Sequence, residues 1–289
     1  MSSAAKTSGR SVAITGAGSG LGRDIALGLA AKGYLVFGTA FSSAEVRELK
    51  NASEGRVDLA VCDITRHERV KAWARGVSDA LRRRGLDLLI SNAGILTPGP
   101  LEILPLEAIR HEFEVNVFGA LAVINALLPA LRVAHGRIVQ ISTWTASLPL
   151  PFNGPSGASK AAMEVFATVY RAELKQFGID VVVAAAGNMR TGGPAKTAAA
   201  LAQVASGMSS EQRELYGHPF AKFTNTLNGM QSSGLDSASA AARVIELAEQ
   251  VPAPQLAPVG TDAEEILRLV RERSVAEQDA LRLQLVRLA

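Results

Sequence analysis

The chain has 289 residues, 48% of them apolar and 20% charged, with 30 basic against 27 acidic side chains and a net charge of +3. That length and apolar content suit one large α/β domain that buries roughly 75% of its unfolded surface, and they exclude global disorder. The basic excess is mild and spread along the chain, with no basic stripe or aromatic-interleaved patch, so no nucleic-acid partner is expected.

Residues 1–9 are small and polar and read as a loose N-terminal tail, without the apolar stretch of a secretory leader. Short apolar runs follow at residues 11–15, 35–39, 57–61, 86–91, 137–142, 179–185 and 255–259, several of them rich in Val and Ile, and they read as buried strands. Helical patterns such as 21–32 and 66–84 lie between them. This alternation predicts a doubly wound parallel sheet of about seven strands with helices on both faces, spanning residues 10–260. Residues 189–235 interrupt the rhythm with Ala-rich helical runs and Gly breaks, a long excursion placed to serve as a substrate lid. Residues 261–289 form a C-terminal extension with Ile266, Leu267, Val270, Leu281 and Leu285 at near-helical spacing. It predicts an amphipathic helix lying on its own domain or serving as a dimer contact.

The sole cysteine, Cys62, sits in an apolar run, so it reads as a buried thiol in a reducing, cytoplasmic protein with no intrachain disulfide. His67, His111, His135 and His218 are scattered singly, and no metal site is expected. No apolar run reaches the ~18 residues of a membrane span, so no membrane association is expected.

The first strand runs into Thr15-Gly16-Ala17-Gly18-Ser19-Gly20-Leu21-Gly22. Glycines let the backbone turn tightly and approach a pyrophosphate, and the helix that follows points free N–H groups and its positive dipole end at that anion. Strand, glycine loop and helix in that order point to a dinucleotide site.

With that loop the chain resembles the short-chain dehydrogenase/reductase family, whose single-domain branch has a Rossmann fold. The resemblance runs over residues 11–259, and its motifs recur in order. Residues 15–22 match TGxxxGxG. Asp63, followed by Ile64, matches the residue that contacts adenine. Ser91-Asn92-Ala93-Gly94 matches NNAG with Ser for the first Asn. Asn116 matches the helix asparagine that holds a water in the proton relay, and Lys160 the lysine of YxxxK. Gly187, Met189 and Thr191 fall where the family lines the nicotinamide, although Ala186-Gly187 replaces its usual Pro-Gly.

The resemblance implies a catalytic tyrosine four residues before Lys160, and Ser156 stands there instead. Positions i and i+4 share one helix face, which is how the lysine would lower the pKa of a phenol. An aliphatic hydroxyl is far less acidic and much shorter, and general acid–base help is typically worth ~10²–10⁴ in rate. Counting 13 residues back from Ser156 reaches Thr143, a hydroxyl that can polarise a carbonyl, with Ser142 the neighbouring alternative. Of the three tyrosines, Tyr34, Tyr170 and Tyr216, the last could reach inward from the lid. Trp144, Leu148, Leu150, Phe152, Met189, Phe220 and Phe223 are candidates to face a hydrophobic substrate.

Nucleotide choice commonly rests at the end of the second strand, where an acid bonds the 2′-hydroxyl of NAD and an arginine accommodates the 2′-phosphate of NADP. Ala40 and Phe41 supply neither. Ser42 follows as a helix N-cap whose N–H groups can receive a phosphate, which favours NADP(H) over NAD(H). The resulting expectation is an NAD(P)(H)-dependent oxidoreductase acting on a hydrophobic carbonyl or secondary alcohol, with weak or atypical activity. The alternatives are a catalytically impaired nucleotide-binding sensor or subunit, or a non-redox isomerase or lyase on the same scaffold. The resemblance also implies a homodimer or homotetramer.

Overall fold

Runs of Val, Ile, Leu and Ala long enough for four to seven extended residues build the sheet: β1 (Ser11–Ile14), β2 (Leu35–Ala40), β3 (Val57–Val61), β4 (Leu88–Ser91), β5 (Arg137–Thr143), β6 (Asp180–Ala186) and β9 (Leu256–Val259). A minor ribbon pairs β7 (Met189–Arg190) with β8 (Leu235–Asp236). The computed structural model describes residues 9–288, the Pro194 side chain excepted, so residues 1–8 of the expected tail lie outside the described residues.

The seven main strands are parallel, in the order β3-β2-β1-β4-β5-β6-β9. Such a sheet must be covered on both faces, which is why the central strands β1 and β4 are buried at every position, while edge strand β3 keeps an exposed Asp58. Helices α1 (Gly20–Ala31) and α9 (Ser237–Glu249) cover one face with Ile25, Leu29, Val244 and Ile245. α2 (Ser43–Ala52) adds Leu49 to the same core. On the other face, α3 (His67–Leu81) and α5 (Ala120–Ala134) pack Val70, Val77, Ile124 and Leu127, with α6 (Gly154–Leu174) alongside. The strand order reverses between β1 and β4, and loops at those carboxyl ends are where such sheets bind ligands.

Helix α4 (Leu106–Phe113) runs through a π-helical turn, Glu114–Gly119, into α5. By length and composition this stretch, Leu106–Ala134, is apolar enough to cross a membrane, contrary to the expectation from the sequence. Its Val115, Val123, Leu127 and Leu131 are buried in the core shared with β4 and α3.

Residues 189–235 fold as two helices, α7 (Gly193–Gly207) and α8 (Ser210–Ser232), between the short strands. Their Leu201, Phe220, Phe223 and Leu227 join Trp144, Leu148 and Leu150 in a third apolar cluster above the strand ends. The C-terminal segment is two helices where the sequence spacing suggested one: α10 (Thr261–Glu272) and α11 (Val275–Leu285). Ser274 and Glu277 form a reciprocal capping box that starts a new helix. Ile266 and Leu281 are buried in the same third cluster.

Candidate active site

The glycine loop is held by bonds between strand ends. Thr15 Oγ1 accepts from the N–H groups of Asn92 (2.9 Å) and Ala93 (3.0 Å), and Asn92 Nδ2 donates back to the Thr15 carbonyl at 3.0 Å. Thr15 is thus buried scaffolding beneath the loop. A Cβ on Gly22 would collide with the Gly16 carbonyl oxygen and Asn92 Nδ2, so the first turn of α1 lies directly on the loop. Ser19, the N-cap of α1, makes no side-chain cap bond, and the first turn carries no acid. The N–H groups and positive dipole end are left for an anion, which fits a dinucleotide diphosphate.

Beside the loop, Asp63 Oδ1 accepts from Thr65 N (2.9 Å) and Thr65 Oγ1 (2.8 Å). Burial works against its charge, but those bonds and Arg66 hold its carboxyl below the ordinary value. Ile64 is buried against Gly119.

A cavity of about 560 Å³ opens at the strand ends. Of the expected residues, Leu21, Asn92, Gly94, Thr143, Ser156, Lys160, Gly187, Met189 and Thr191 line it. Thr191 lies beside Gly20, so the glycine loop adjoins the cavity rim. Gly16, Gly18, Ser19, Gly22, Ser42, Asp63, Ile64, Ala93 and Asn116 do not line it. Trp144 and Leu150 do, with Ile95, Leu96 and Leu227. Leu148, Phe152, Phe220 and Phe223 do not: Phe152 packs edge-on to both Phe220 and Phe223, with ring centroids 5.6 Å apart in each pair, and this aromatic group fills the third core.

Thr143 and Ser142 separate cleanly, because successive strand residues point to opposite faces. Thr143 opens on the cavity, where its Oγ1 accepts from Thr145 N at 3.3 Å. Ser142 is turned away and donates to Glu164 Oε1 at 2.5 Å. Ser156 sits in the first turn of α6, and its hydroxyl has no hydrogen-bond partner among the described residues. Lys160, one turn on, donates from Nζ to the Ile141 carbonyl at 2.9 Å. Burial of the ammonium holds its pKa down to about 8, against the opposing pull of Glu112 and Glu164.

Those two carboxylates escape a motif-based reading. Glu112 is fully buried; its Oε2 accepts from Thr97 N at 2.7 Å and its Oε1 from Asn116 Nδ2 at 3.2 Å. Burial pushes its carboxyl up to about 7, although the Thr97 bonds and Lys160 favour the charged form. Burial likewise raises Glu164, beside Ser142 and Lys160. Asn116 stitches the floor together: Oδ1 accepts from Ile95 N (2.8 Å), and Nδ2 also faces the Ile95 carbonyl and Ser159 Oγ, each at 3.0 Å. The π-helical turn around it is a local bulge of the kind that often marks a functional site. A signal was present: Glu112 precedes Asn116 by four residues and Glu164 follows Lys160 by four, one helix face in each case.

No phenol reaches this cavity. Tyr34 donates to Glu249 Oε1 (3.0 Å), Tyr170 to Asn125 Oδ1 (2.7 Å) and Tyr216 to Glu102, all outside it. The inward reach open to Tyr216 does not occur, because the hydroxyl is held at the surface.

Two backbone sites also differ from expectation. At the start of α2 a carboxylate adjoins the N-cap, since Phe41 N and Ser42 N donate to Glu45 Oε2 at 2.8 and 3.2 Å. Where the expected Pro-Gly turn is missing, Asp262 Oδ2 accepts from Asn188 N (2.8 Å) and Nδ2 (3.0 Å), pinning the turn after β6.

Comparison with known proteins places these features in context. Residues 10–201 match the short chain dehydrogenase family. The chain is 33% identical to retinol dehydrogenase 16 of Mus musculus over 221 residues, 75% of this chain and 69% of that protein. It is 28% identical to the NADPH-dependent 3-dehydrocapnine reductase of Ornithobacterium rhinotracheale over 244 residues, 82% and 83% of the two chains. A short-chain dehydrogenase from Streptomyces avermitilis superposes with a TM-score of 0.76 at 26% identity, over 98% of this chain and 96% of that one.

Proposed function

The chain belongs to the short-chain dehydrogenase family, and from that premise we propose that it is an NAD(P)(H)-dependent oxidoreductase acting on a carbonyl or secondary alcohol of a hydrophobic small molecule. The observation that carries this reading is the convergence of Thr143, Ser156 and Lys160 on one cavity beside the glycine loop, with Lys160 held near pKa 8. The N-terminus of α1 would hold the diphosphate, and Asn92, Gly94, Gly187, Met189 and Thr191 the nicotinamide riboside. When bound, the dinucleotide supplies or accepts the hydride.

The protein's own residues account for the remaining steps. Thr143 donates its hydroxyl to the substrate oxygen. In the reductive direction that oxygen gains a proton as its carbon gains hydride. Ser156 stands where the family carries its tyrosine, and a serine hydroxyl cannot be made a comparable acid. The Lys160 ammonium, able to release a proton near neutral pH, supplies it directly or through the Ser156 hydroxyl; Asn116, Ser159 and Glu112 lie behind it as the route of resupply. Ile95, Leu96, Trp144, Leu150 and Leu227 make the wall apolar, in keeping with relatives named for retinol and 3-dehydrocapnine. Exposed Phe118, Val165, Phe166 and Val169 support self-association as a homodimer or homotetramer, and the sole cysteine supports a cytoplasmic location.

The test pairs the wild type with Ser156→Tyr. Both are assayed for hydride transfer with NADH and NADPH across hydrophobic ketones, and with the oxidised nucleotides across alcohols. Slow transfer by the wild type, with reduction falling off above about pH 8, and a rise of ~100-fold in the variant are expected. A second reading, a nucleotide sensor without turnover, is favoured by the absence of any phenol at the cavity. Nucleotide binding with no transfer by either protein would select it.

A further inference from the structure

The carboxylate missing from the end of β2 in the sequence is supplied in the structure by the first turn of α2. Glu45 is the third residue of that helix and forms a reciprocal capping box with Ser42: Glu45 N donates to Ser42 Oγ at 3.2 Å, and its own Oε2 accepts from Ser42 N and Phe41 N. Two bonds thus fix the side chain at the strand end, and a third, from its backbone N–H, holds the helix start. It lies on the glycine loop itself, since a Cβ built on Gly18 would come within 2.8 Å of Glu45 Oε2 and 2.9 Å of its Cδ. The strand end and the loop are bonded to each other, since Gly16 N donates to Thr39 Oγ1 (3.0 Å) and Ala17 N to the Thr39 carbonyl (2.8 Å). Both pinning bonds fall on Oε2, and Oε1 has no hydrogen-bond partner among the described residues.

Among the described residues, the cations on α1 and α2 near this carboxylate are not placed to balance a second anion. Arg23, on α1, is paired with Glu48 at 2.8 Å and adjoins Asp24 at 3.6 Å. Arg47 lies two residues after Glu45 on α2, and i,i+2 positions do not face each other. Phe41 presents an exposed apolar ring at the rim of the cavity.

Resting on the reading of this cavity as a nicotinamide dinucleotide site, we propose that Glu45 selects NAD(H) over NADP(H): Oε1 accepts a hydrogen bond from the 2′-hydroxyl of the adenosine ribose and repels a 2′-phosphate. A hydroxyl can donate to the carboxylate, whereas a phosphate dianion has no hydrogen to give and meets like charge. This reverses the choice suggested by Ser42 alone, because the Glu45 carboxylate stands at the helix start that would have received the phosphate.

The experiment is direct titration of the full chain with NADH and NADPH, by nucleotide fluorescence or calorimetry, in the wild type, Glu45→Gln and the double variant Phe41→Arg, Glu45→Gln. Glutamine serves at the third helical position of a capping box as glutamate does, so the first variant removes charge and keeps the helix start. Thermal unfolding of each variant checks that the fold is retained. The wild type is expected to bind NADH at least about tenfold more tightly than NADPH; Glu45→Gln closes that gap by about tenfold, chiefly by improving NADPH, and the added arginine moves the preference to NADPH. Wild type that binds NADPH as tightly as NADH, or a ratio unchanged by Glu45→Gln, overturns the proposal while leaving the oxidoreductase reading in place. Failure of both nucleotides to bind overturns both.

Discussion

The two ends of the cavity are built from different materials. The nucleotide end is mostly backbone: glycines, open N–H groups and neutral bonds between loops, as in the Thr15–Asn92 pairing, with the carboxylates of Glu45 and Asp63 at its edge. The chemical end is side chain: Lys160 between Glu112 and Glu164, all three displaced from their ordinary pKa values by burial. A backbone cradle recognises shape and tolerates little added volume. A buried charge cluster tunes proton affinity and responds to substitutions that change no shape at all. Damage at one end should therefore look unlike damage at the other.

The largest expected effect tests the chemical end. Lys160→Met keeps the length of the side chain and removes the proton donor. Hydride transfer should fall by ~10²–10⁴, while nucleotide affinity changes by less than about tenfold, as read by single-turnover kinetics and titration. An equal loss in both would mean that Lys160 serves only to hold the nucleotide. At the other end, Gly22→Ala drives a methyl group into the Gly16 carbonyl oxygen and Asn92 Nδ2. Overpacking costs ~1–3 kcal/mol, and the upper end of that range is about 100-fold in nucleotide affinity. A variant that binds nucleotide normally would show that the loop is looser than its contacts imply.

A subtler test uses charge without shape. The Glu112 carboxyl is raised from an ordinary 4.5 to about 7 in the fold, so the folded state holds the proton more tightly than the unfolded chain. The stability this confers is fully present below about pH 4.5 and is lost as pH rises through about 7. Across that window it tilts unfolding free energy by up to ~1.4 kcal/mol per pH unit. Glu112→Gln should remove this slope in denaturant unfolding measured from pH 4.5 to 7.5. A slope that persists would assign it to other groups. Lys160 acts in the opposite sense at higher pH: its charged form is the disfavoured one, so stability rises between about pH 8 and 10.5.

The same division explains what could be read before the structure was known. The strands and the glycine loop follow from local patterns, because backbone shape depends on neighbours in sequence, and positions Thr143, Ser156 and Lys160 follow from the family resemblance. Choosing Thr143 over Ser142 needed the strand's two faces, which periodicity supplies only once β5 is placed in the sheet. Glu45 looked like an ordinary helix-start residue, and only the fold of β2 against the loop brings it to Gly18. The hydroxyl of Tyr216 could be placed only by its surface partner Glu102, 114 residues away in the chain. Charge partners of this kind join distant segments and leave no local signature.

The smallest effect is expected where the two ends meet. Asp262, in the first turn of α10, holds Asn188 through the backbone and side-chain N–H groups. Through it the C-terminal helices close the turn after β6 that lines the cavity. Asp262→Ala strips a part-buried N–H of its acceptor, a loss of about 1 kcal/mol, or roughly fivefold. Because the turn borders both ends, nucleotide affinity and hydride-transfer rate should fall together by similar factors, unlike the split expected of Lys160→Met. Asp262→Asn, which retains an acceptor oxygen, should recover most of both. If Asp262→Ala lowers the melting temperature and leaves affinity and rate unchanged, the C-terminal helices contribute stability alone, and the cradle and the charge cluster are coupled only through the sheet beneath them.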